Sequence, residues 1–247
     1  MNIIKDIVYG TQDTQSQKLD LYIPGEDAAE AADVLIYFHG GGLEAGDKSG
    51  GIQFERLANA GKIVISANYR MYPTAVFPDF LKDGAAVINW AKKHLSEYKA
   101  FDKIFVGGSS AGAYMTAMLA YDTKYLNVYG IKTTDINGYI IDSAQMTTHF
   151  NVLRERGLNT KRIIIDEAAP VYHIHENTAF PNALVLVSDN DMPCRLEQNL
   201  MFLKTAEMFG CPKEKLQYRL MEGFTHCGYT GTVEFADLIL QYMNDTN

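Results

Sequence analysis

Cysteine is scarce in this 247-residue chain, and its three copies, Cys194, Cys211 and Cys227, are odd in number and widely spaced. They form no CxxC pair and no plausible zinc set, so inert thiols in a reduced cytoplasmic protein are expected, with no metal. Long apolar runs are also missing. No stretch reaches the ~18 residues needed to cross a bilayer, so no membrane association is expected. The opening Met1-Asn2-Ile3-Ile4-Lys5-Asp6 is interrupted by polar and charged residues within six positions, and no export signal is expected either. Clusters of Lys and Arg are absent and the formal net charge is -8, which argues against a nucleic-acid partner. The same charge mildly repels anionic substrates at long range. There is no internal repeat, no low-complexity stretch and no linker that would split the chain.

What is present is an ordinary globular composition, 47% hydrophobic and 21% charged. The length suits one α/β domain over residues 1–247. Short β-rich runs alternate with helical patterns. Strands are expected at 3–9, 18–23, 34–38, 63–65, 103–106, 136–141, 183–187 and 216–221. The unbroken run Val34-Leu35-Ile36-Tyr37-Phe38 reads as a strand covered on both faces. Helical spacing appears around Phe54, Leu57 and Ala58, and over 80–95, 111–119, 196–209 and 233–243. This alternation predicts a mostly parallel central sheet of about eight strands, flanked by helices on both faces. Residues 143–181 do not fit the alternation. They are too long for a simple crossover and are expected to form a lid-like insertion over the carboxyl edge of the sheet. Its aromatic residues Phe150, Tyr172 and Phe180 are as suited to a small core of its own as to lining a pocket.

The chemistry begins after the strand at 103–106. The frame Gly108-x-Ser110-x-Gly112 satisfies G-x-S-x-G, with a strand before it and a helix after it. A sharp strand-to-helix turn of this kind lifts a hydroxyl out of the sheet and sets it at a helix N-terminus, where partial positive charge favours a developing anion. Ser110 is therefore the candidate nucleophile and Ser109 its neighbour. The strand at 34–38 runs into His39-Gly40-Gly41-Gly42. A chance HGGG is rare, on the order of 0.003 per chain of this composition. Glycines let backbone N–H groups face a cleft without a Cβ in the way. Gly41, Gly42 and Ala111, the residue after the nucleophile, are the candidate oxyanion donors. His39 is expected to brace the loop rather than act as a base. A phosphate cradle would need Lys-Ser/Thr opening a helix, and Gly42-Leu43-Glu44 supplies neither.

In this class of site the order along the chain is serine, acid, histidine. His226 follows the last predicted strand, where a loop can reach across to Ser110, and is the candidate base. His173-x-His175 lacks companion ligands and is read as polar surface rather than a metal site. For the acid, Asp191 is preferred over Asp189, because a longer turn after the strand at 183–187 lets the carboxylate curl back towards His226. Asp189 is then a loop-structuring residue. Asp142, at the end of another strand, is a distant third.

His39-Gly40-Gly41-Gly42, Asn68-Tyr69-Arg70-Met71-Tyr72-Pro73, Gly108-x-Ser110-Ala111-Gly112 and Gly223-Phe224-Thr225-His226 together resemble the α/β-hydrolase esterases and lipases related to hormone-sensitive lipase. Gly46-Asp47-Lys48 is also similar to small bacterial acetyl and feruloyl esterases. The resemblance implies an α/β-hydrolase fold and a serine carboxylesterase with a short-acyl preference and no cofactor. The chain departs from it in three places. Leu43 stands where an aromatic residue is common after the glycines, Ser188 replaces the glycine of G-x-x-D, and with a first strand expected from about residue 3 no helical cap is expected before it.

The expected activity is hydrolysis of small, neutral, short-acyl esters through an acyl-enzyme. The partner is then a small-molecule ester, and a homodimer is allowed. An amidase or formamidase on the same scaffold is the alternative. A non-catalytic small-molecule binder is a third reading, and it leaves Ser110, His226 and the glycine loop without a purpose.

Overall fold

The computed structural model describes residues 1–25, 28–49 and 52–246, with Ile52 through its backbone alone. Eight strands form one sheet: β1 (Asn2–Val8), β2 (Lys18–Ile23), β3 (Ala32–Phe38), β4 (Ile63–Ala67), β5 (Phe101–Ser109), β6 (Gly138–Asp142), β7 (Ala183–Asn190) and β8 (Leu216–Thr225). Their spatial order is β1-β2-β4-β3-β5-β6-β7-β8. The β1–β2 and β2–β4 pairs are antiparallel, and every pair from β4 to β8 is parallel. The helices are α1 (Ile52–Asn59), α2 (Asp79–His94), α3 (Ala111–Tyr121), α4 (Lys124–Asn127), α5 (Phe150–Glu155), α6 (Arg195–Met208) and α7 (Val233–Asp245). All eight expected strands and all five expected helices are present, most of them extended by a few residues. The architecture is the one that the α/β-hydrolase resemblance implied.

Strand geometry explains the two layers. Successive side chains point to opposite faces of the sheet. Along β3, Val34, Ile36 and Phe38 join a core with residues of α2, α3 and α6. Leu35 and Tyr37 join a second core with Phe54, Leu57 and Ala58 of α1 and Phe235, Ile239 and Tyr242 of α7. An apolar run with no polar break is therefore what a strand between two layers requires. Helix α3 is buried along its whole length, from Ala111 to Tyr121. Apolar or small residues on every side of it follow from that position.

Residues 143–181 leave the sheet after β6. They contain α5 and a 3-10 turn at Pro170–His173. Ala144, Met146, Val152, Ala168, Ala169, Val171 and Ile174 pack into the core on the α2/α3/α6 face. Of the three aromatic residues of this segment, Phe180 packs against that core and Tyr172 is exposed. Phe150 lies beside Gly42. No helix among the described residues is long and apolar enough to cross a membrane.

Phe202 of α6 is fully buried, with its ring 5.2 Å from that of Tyr121. Truncating it leaves a cavity that rigid neighbours cannot close. The Phe202→Ala variant should lose about 3–5 kcal/mol, read as a lower denaturant midpoint at an unchanged slope. A loss below about 1 kcal/mol would mean that this layer is loosely packed.

Candidate active site

Four parallel strands deliver the candidate residues to one edge of the sheet, because each residue sits just past a strand's carboxyl end. The glycine loop follows β3, Ser110 follows β5, Asp191 follows β7 and His226 follows β8. Crevices outside these strand ends are where ligands of open α/β sheets bind.

The turn at Ser110 is tight. Ser110 has φ 55° and ψ −112°, a sparsely populated conformation for a residue with a side chain. Its N–H donates to the Asp142 carbonyl at 2.8 Å, and Tyr114 N–H donates to the Ser110 carbonyl at 2.9 Å. The glycines of the motif are explained by contact. A Cβ on Gly112 would lie 2.0 Å from the Phe38 carbonyl oxygen, and one on Gly108 would lie 2.5 Å from the Gly112 carbonyl carbon. A Cβ on Gly40 would come within 3.3 Å of Ser110 Cβ.

His226 Nε2 lies 2.8 Å from Ser110 Oγ, and its Nδ1 lies 2.5 Å from Asp191 Oδ1. With the carboxylate as acceptor, Nδ1 carries the proton and Nε2 is free to accept from the serine hydroxyl. Asp191 Oδ2 accepts from Ser143 Oγ at 2.7 Å, and Oδ1 accepts from Met192 N–H at 2.7 Å. Burial opposes the charge on Asp191, but the hydrogen bonds from His226 and Ser143 outweigh it and hold this carboxyl below the usual range. Asp189 does not reach the imidazole. It accepts Gly223 N–H at 2.9 Å and so pins the end of β8. The structure thus brings Ser110, Asp191 and His226 together, and Asp189, expected to order its own loop, instead braces the end of β8.

The glycine loop is held by its carbonyls. His39 Nδ1 lies 2.7 Å from the Gly40 carbonyl, and the Gly41 carbonyl accepts from Glu44 N–H at 3.1 Å and Ala45 N–H at 2.9 Å. The Gly42 carbonyl accepts from Asn151 Nδ2 at 2.8 Å. Peptide units are planar and trans, so fixing the carbonyl of one residue aims the N–H of the next in the opposite direction. His39 therefore sets the Gly41 N–H, and the Glu44–Ala45 turn sets the Gly42 N–H. Among the described residues, neither of these N–H groups nor that of Ala111 donates to a protein acceptor. The His39 ring stacks on Tyr69, with centroids 4.5 Å apart, and burial lowers its pKa. A neutral ring donating through Nδ1 suits the brace.

The other motif residues are scaffold. Tyr69 O–H donates to the His39 carbonyl at 2.9 Å, and the Arg70 guanidinium grips buried Asp83 at 2.7 Å. The Lys48 ammonium bridges Asp20 at 2.7 Å and Asp6 at 3.0 Å. A cleft of about 830 Å³ between residues 9–17, α2 and residues 124–129 is lined by Arg70 and Asp83 but by none of the candidate site residues.

One part of the site has no motif. Asp142, the third choice for the acid, is fully buried, and its hydrogen bonds among the described residues go to groups other than His226. It accepts from Ser109 Oγ and from Tyr229 O–H. Since the single Ser109 proton goes to Asp142, Tyr37 O–H must donate to Ser109 Oγ. Tyr229 Oη also lies 3.3 Å from Ser143 Oγ, which sets this cluster beside the donor to Asp191, although both hydroxyl protons are already given to carboxylates. Burial raises the Asp142 carboxyl from 3.8 to about 6 against the pull of these donors.

Comparison with known proteins gives a consistent picture. The family described as BD-FAE matches residues 19–153. The chain is 26% identical over 198 residues to tuliposide A-converting enzyme 2 of Tulipa gesneriana, covering 69% of this chain and 52% of that protein. It is 34% identical over 119 residues to the probable carboxylic ester hydrolase LipM of Mycobacterium tuberculosis, covering 47% and 27%. The chain thus spans about half the length, or less, of these curated relatives. Among solved structures, esterase B from Lactobacillus rhamnosis superposes with TM-score 0.79 at 16% identity, over 98% of this chain and 84% of that one. Esterase 2 of Thermogutta terrifontis phosphoramylated by tabun superposes with TM-score 0.75 at 22% identity, over 99% and 96%. These superpositions establish the α/β-hydrolase fold.

Asp142 binds its proton more tightly in the folded protein, at about 6, than in the unfolded chain, at about 3.8. Its contribution to stability is therefore full below pH ~4 and is lost as pH rises through 6. Asp142→Asn lacks this slope. The difference in unfolding free energy between variant and wild type should change by up to about 3 kcal/mol from pH 4 to pH 7. A constant difference over that range would show that Asp142 does not titrate there.

Proposed function

This chain belongs to the BD-FAE family, and on that footing we propose that it is a serine carboxylic ester hydrolase acting on small, short-acyl neutral esters. The observation that carries the reading is the hydrogen-bonded line Ser110–His226–Asp191 beside three backbone N–H groups with no protein acceptor among the described residues. A binder would need no such combination.

His226 Nε2 takes the Ser110 proton as Oγ attacks the ester carbonyl. The oxyanion is held by the N–H groups of Gly41, Gly42 and Ala111, which are fixed before reaction and therefore cost no reorganisation. The N-terminus of α3 adds partial positive charge. Asp191 fixes the imidazole tautomer and stabilises its cation. His226 then protonates the leaving alcohol, and water repeats the cycle on the acyl-enzyme. A net charge of -8 favours neutral substrates. Residues 143–181 form the cover of this site within a single domain, and the Phe150 ring beside Gly42 narrows the space above the loop, in keeping with short acyl groups. Free thiols at Cys194, Cys211 and Cys227 suit a reducing, cytoplasmic setting.

The wild type should hydrolyse p-nitrophenyl acetate, with turnover falling as the acyl chain lengthens, and should be labelled at Ser110 by a fluorophosphonate. Ser110→Ala should abolish labelling, and Asp191→Asn should lower kcat by on the order of 10³–10⁴. Turnover of an aryl formamide with none of the ester would replace this reading by an amidase. Absence of labelling in folded protein would replace it by a binder.

A further inference from the structure

Glycine has no side chain to bias its dihedrals, so the Gly40–Gly42 loop cannot hold its own shape. Gly42, at φ +66°, needs both flanking peptide planes fixed from outside. The plane before it is fixed by the Glu44–Ala45 turn. The plane after it is fixed by Asn151, 109 residues away in sequence, whose amide donates to the Gly42 carbonyl at 2.8 Å.

Asn151 is suited to this task and to little else. It is buried at 1% exposure, and its Oδ1 has no hydrogen-bond partner. An apolar residue at this place would avoid that loss, so what this side chain contributes is the donor it presents. Its orientation is not free either. Turning the amide over would set Oδ1 against the Gly42 oxygen, two acceptors facing each other.

Helix α5 is itself tied down on every side. Asn151 N–H donates to His149 Nδ1 at 3.2 Å, and the His149 ring lies 5.0 Å from that of Tyr114 on α3. Arg154 pairs with Glu44 of the glycine loop. The Glu155 carboxylate accepts Phe77 N–H at 2.9 and 3.1 Å, and the Arg156 guanidinium lies 5.6 Å from the Phe77 ring centroid. One short helix thus joins the helix that carries Ala111 to the loop that carries Gly41 and Gly42.

We propose that α5 is a fixed clamp which sets the two halves of the oxyanion hole against each other, and that Asn151 is its positioning residue. The inference rests on the serine-hydrolase reading of the site. Asn151 touches no reacting atom. It acts through Gly42, so its loss is felt where charge develops on the substrate oxygen and not in ground-state binding.

Asn151→Asp keeps the shape and loses the donor, and Asn151→Ser removes the amide with little added bulk. Both are assayed with p-nitrophenyl acetate after titration of active sites with a fluorophosphonate, so that partly folded material is counted out. We expect kcat per titrated site to fall about 10- to 100-fold, with KM within about 3-fold of wild type. The inhibition constant of an aryl trifluoromethyl ketone, which forms an oxyanion on Ser110, should rise in parallel. If both variants keep kcat per site within about 2-fold and lose only titratable sites, Asn151 is a structural residue and the clamp is overturned. The same holds if KM alone rises. A wild type that takes no label takes the serine-hydrolase reading down with the clamp, whereas the other failures leave that reading standing.

Discussion

The end of β3 and the turn at Ser110 meet backbone to backbone, with no room for a methyl group between them. The Phe38 carbonyl occupies the space that a side chain at Gly112 would need, and Gly40 leaves only a tight fit against Ser110 itself. This contact brings Ser110 and the glycine loop, which are far apart in sequence, into one small volume. It also accounts for the disposition of the sheet. Strands β3 and β5 are parallel neighbours at its centre, so their carboxyl ends lie side by side. Helix α3 can start only if the chain turns sharply over that edge. The left-handed φ of Ser110 is held by the hydrogen bond from its N–H to Asp142 and by the burial of all that follows.

Behind the site, polar groups are buried in connected sets. Tyr37, Ser109, Asp142 and Tyr229 form one hydrogen-bonded set, and Ser143, Asp191 and the imidazole form another, the two meeting where Tyr229 Oη and Ser143 Oγ lie 3.3 Å apart. Buried carboxylates are costly unless their oxygens are served by donors. Here Asp191 is served on both oxygens and stays acidic, while Asp142, farther from solvent, is pushed the other way. Two carboxylates from adjacent strand ends thus have different characters because of what surrounds them. The buried Arg195 guanidinium, which donates to the Ser143 carbonyl, adds positive charge on the same side.

The strands, the turn at Ser110, the glycine loop and the histidine after β8 could all be read from sequence, because each depends on a local pattern. Unbroken apolar runs mark strands buried on both faces, and glycines two residues either side of a serine mark a contact that admits nothing larger. The preference for Asp191 over Asp189 followed from the length of the turn, and Asp189 proved to be occupied with Gly223. Asn151, Ser143 and Tyr229 left no such trace. Their partners lie 109, 48 and 87 residues away in sequence, and an Asn, a Ser or a Tyr in such a segment carries no local signature. Only Asp142 hinted at the network, as an acid at a strand end with no partner in the motif. The environment of residues 143–181 was illegible for the same reason, since its contacts are made across the sheet edge and not along the chain.

Strand β8 lies at the border of the sheet, with β7 as its only strand neighbour among the described residues, and it ends at the residue before His226. The serine, by contrast, is rooted in the middle of the sheet and in a helix with no exposed face. Border elements separate from a fold at lower free energy than central ones. On that ground, warming is expected to loosen the imidazole from its partners before the centre of the sheet gives way. A loss of the Ser110–His226–Asp191 line ahead of the main melting transition, reversed on cooling, is the expected consequence.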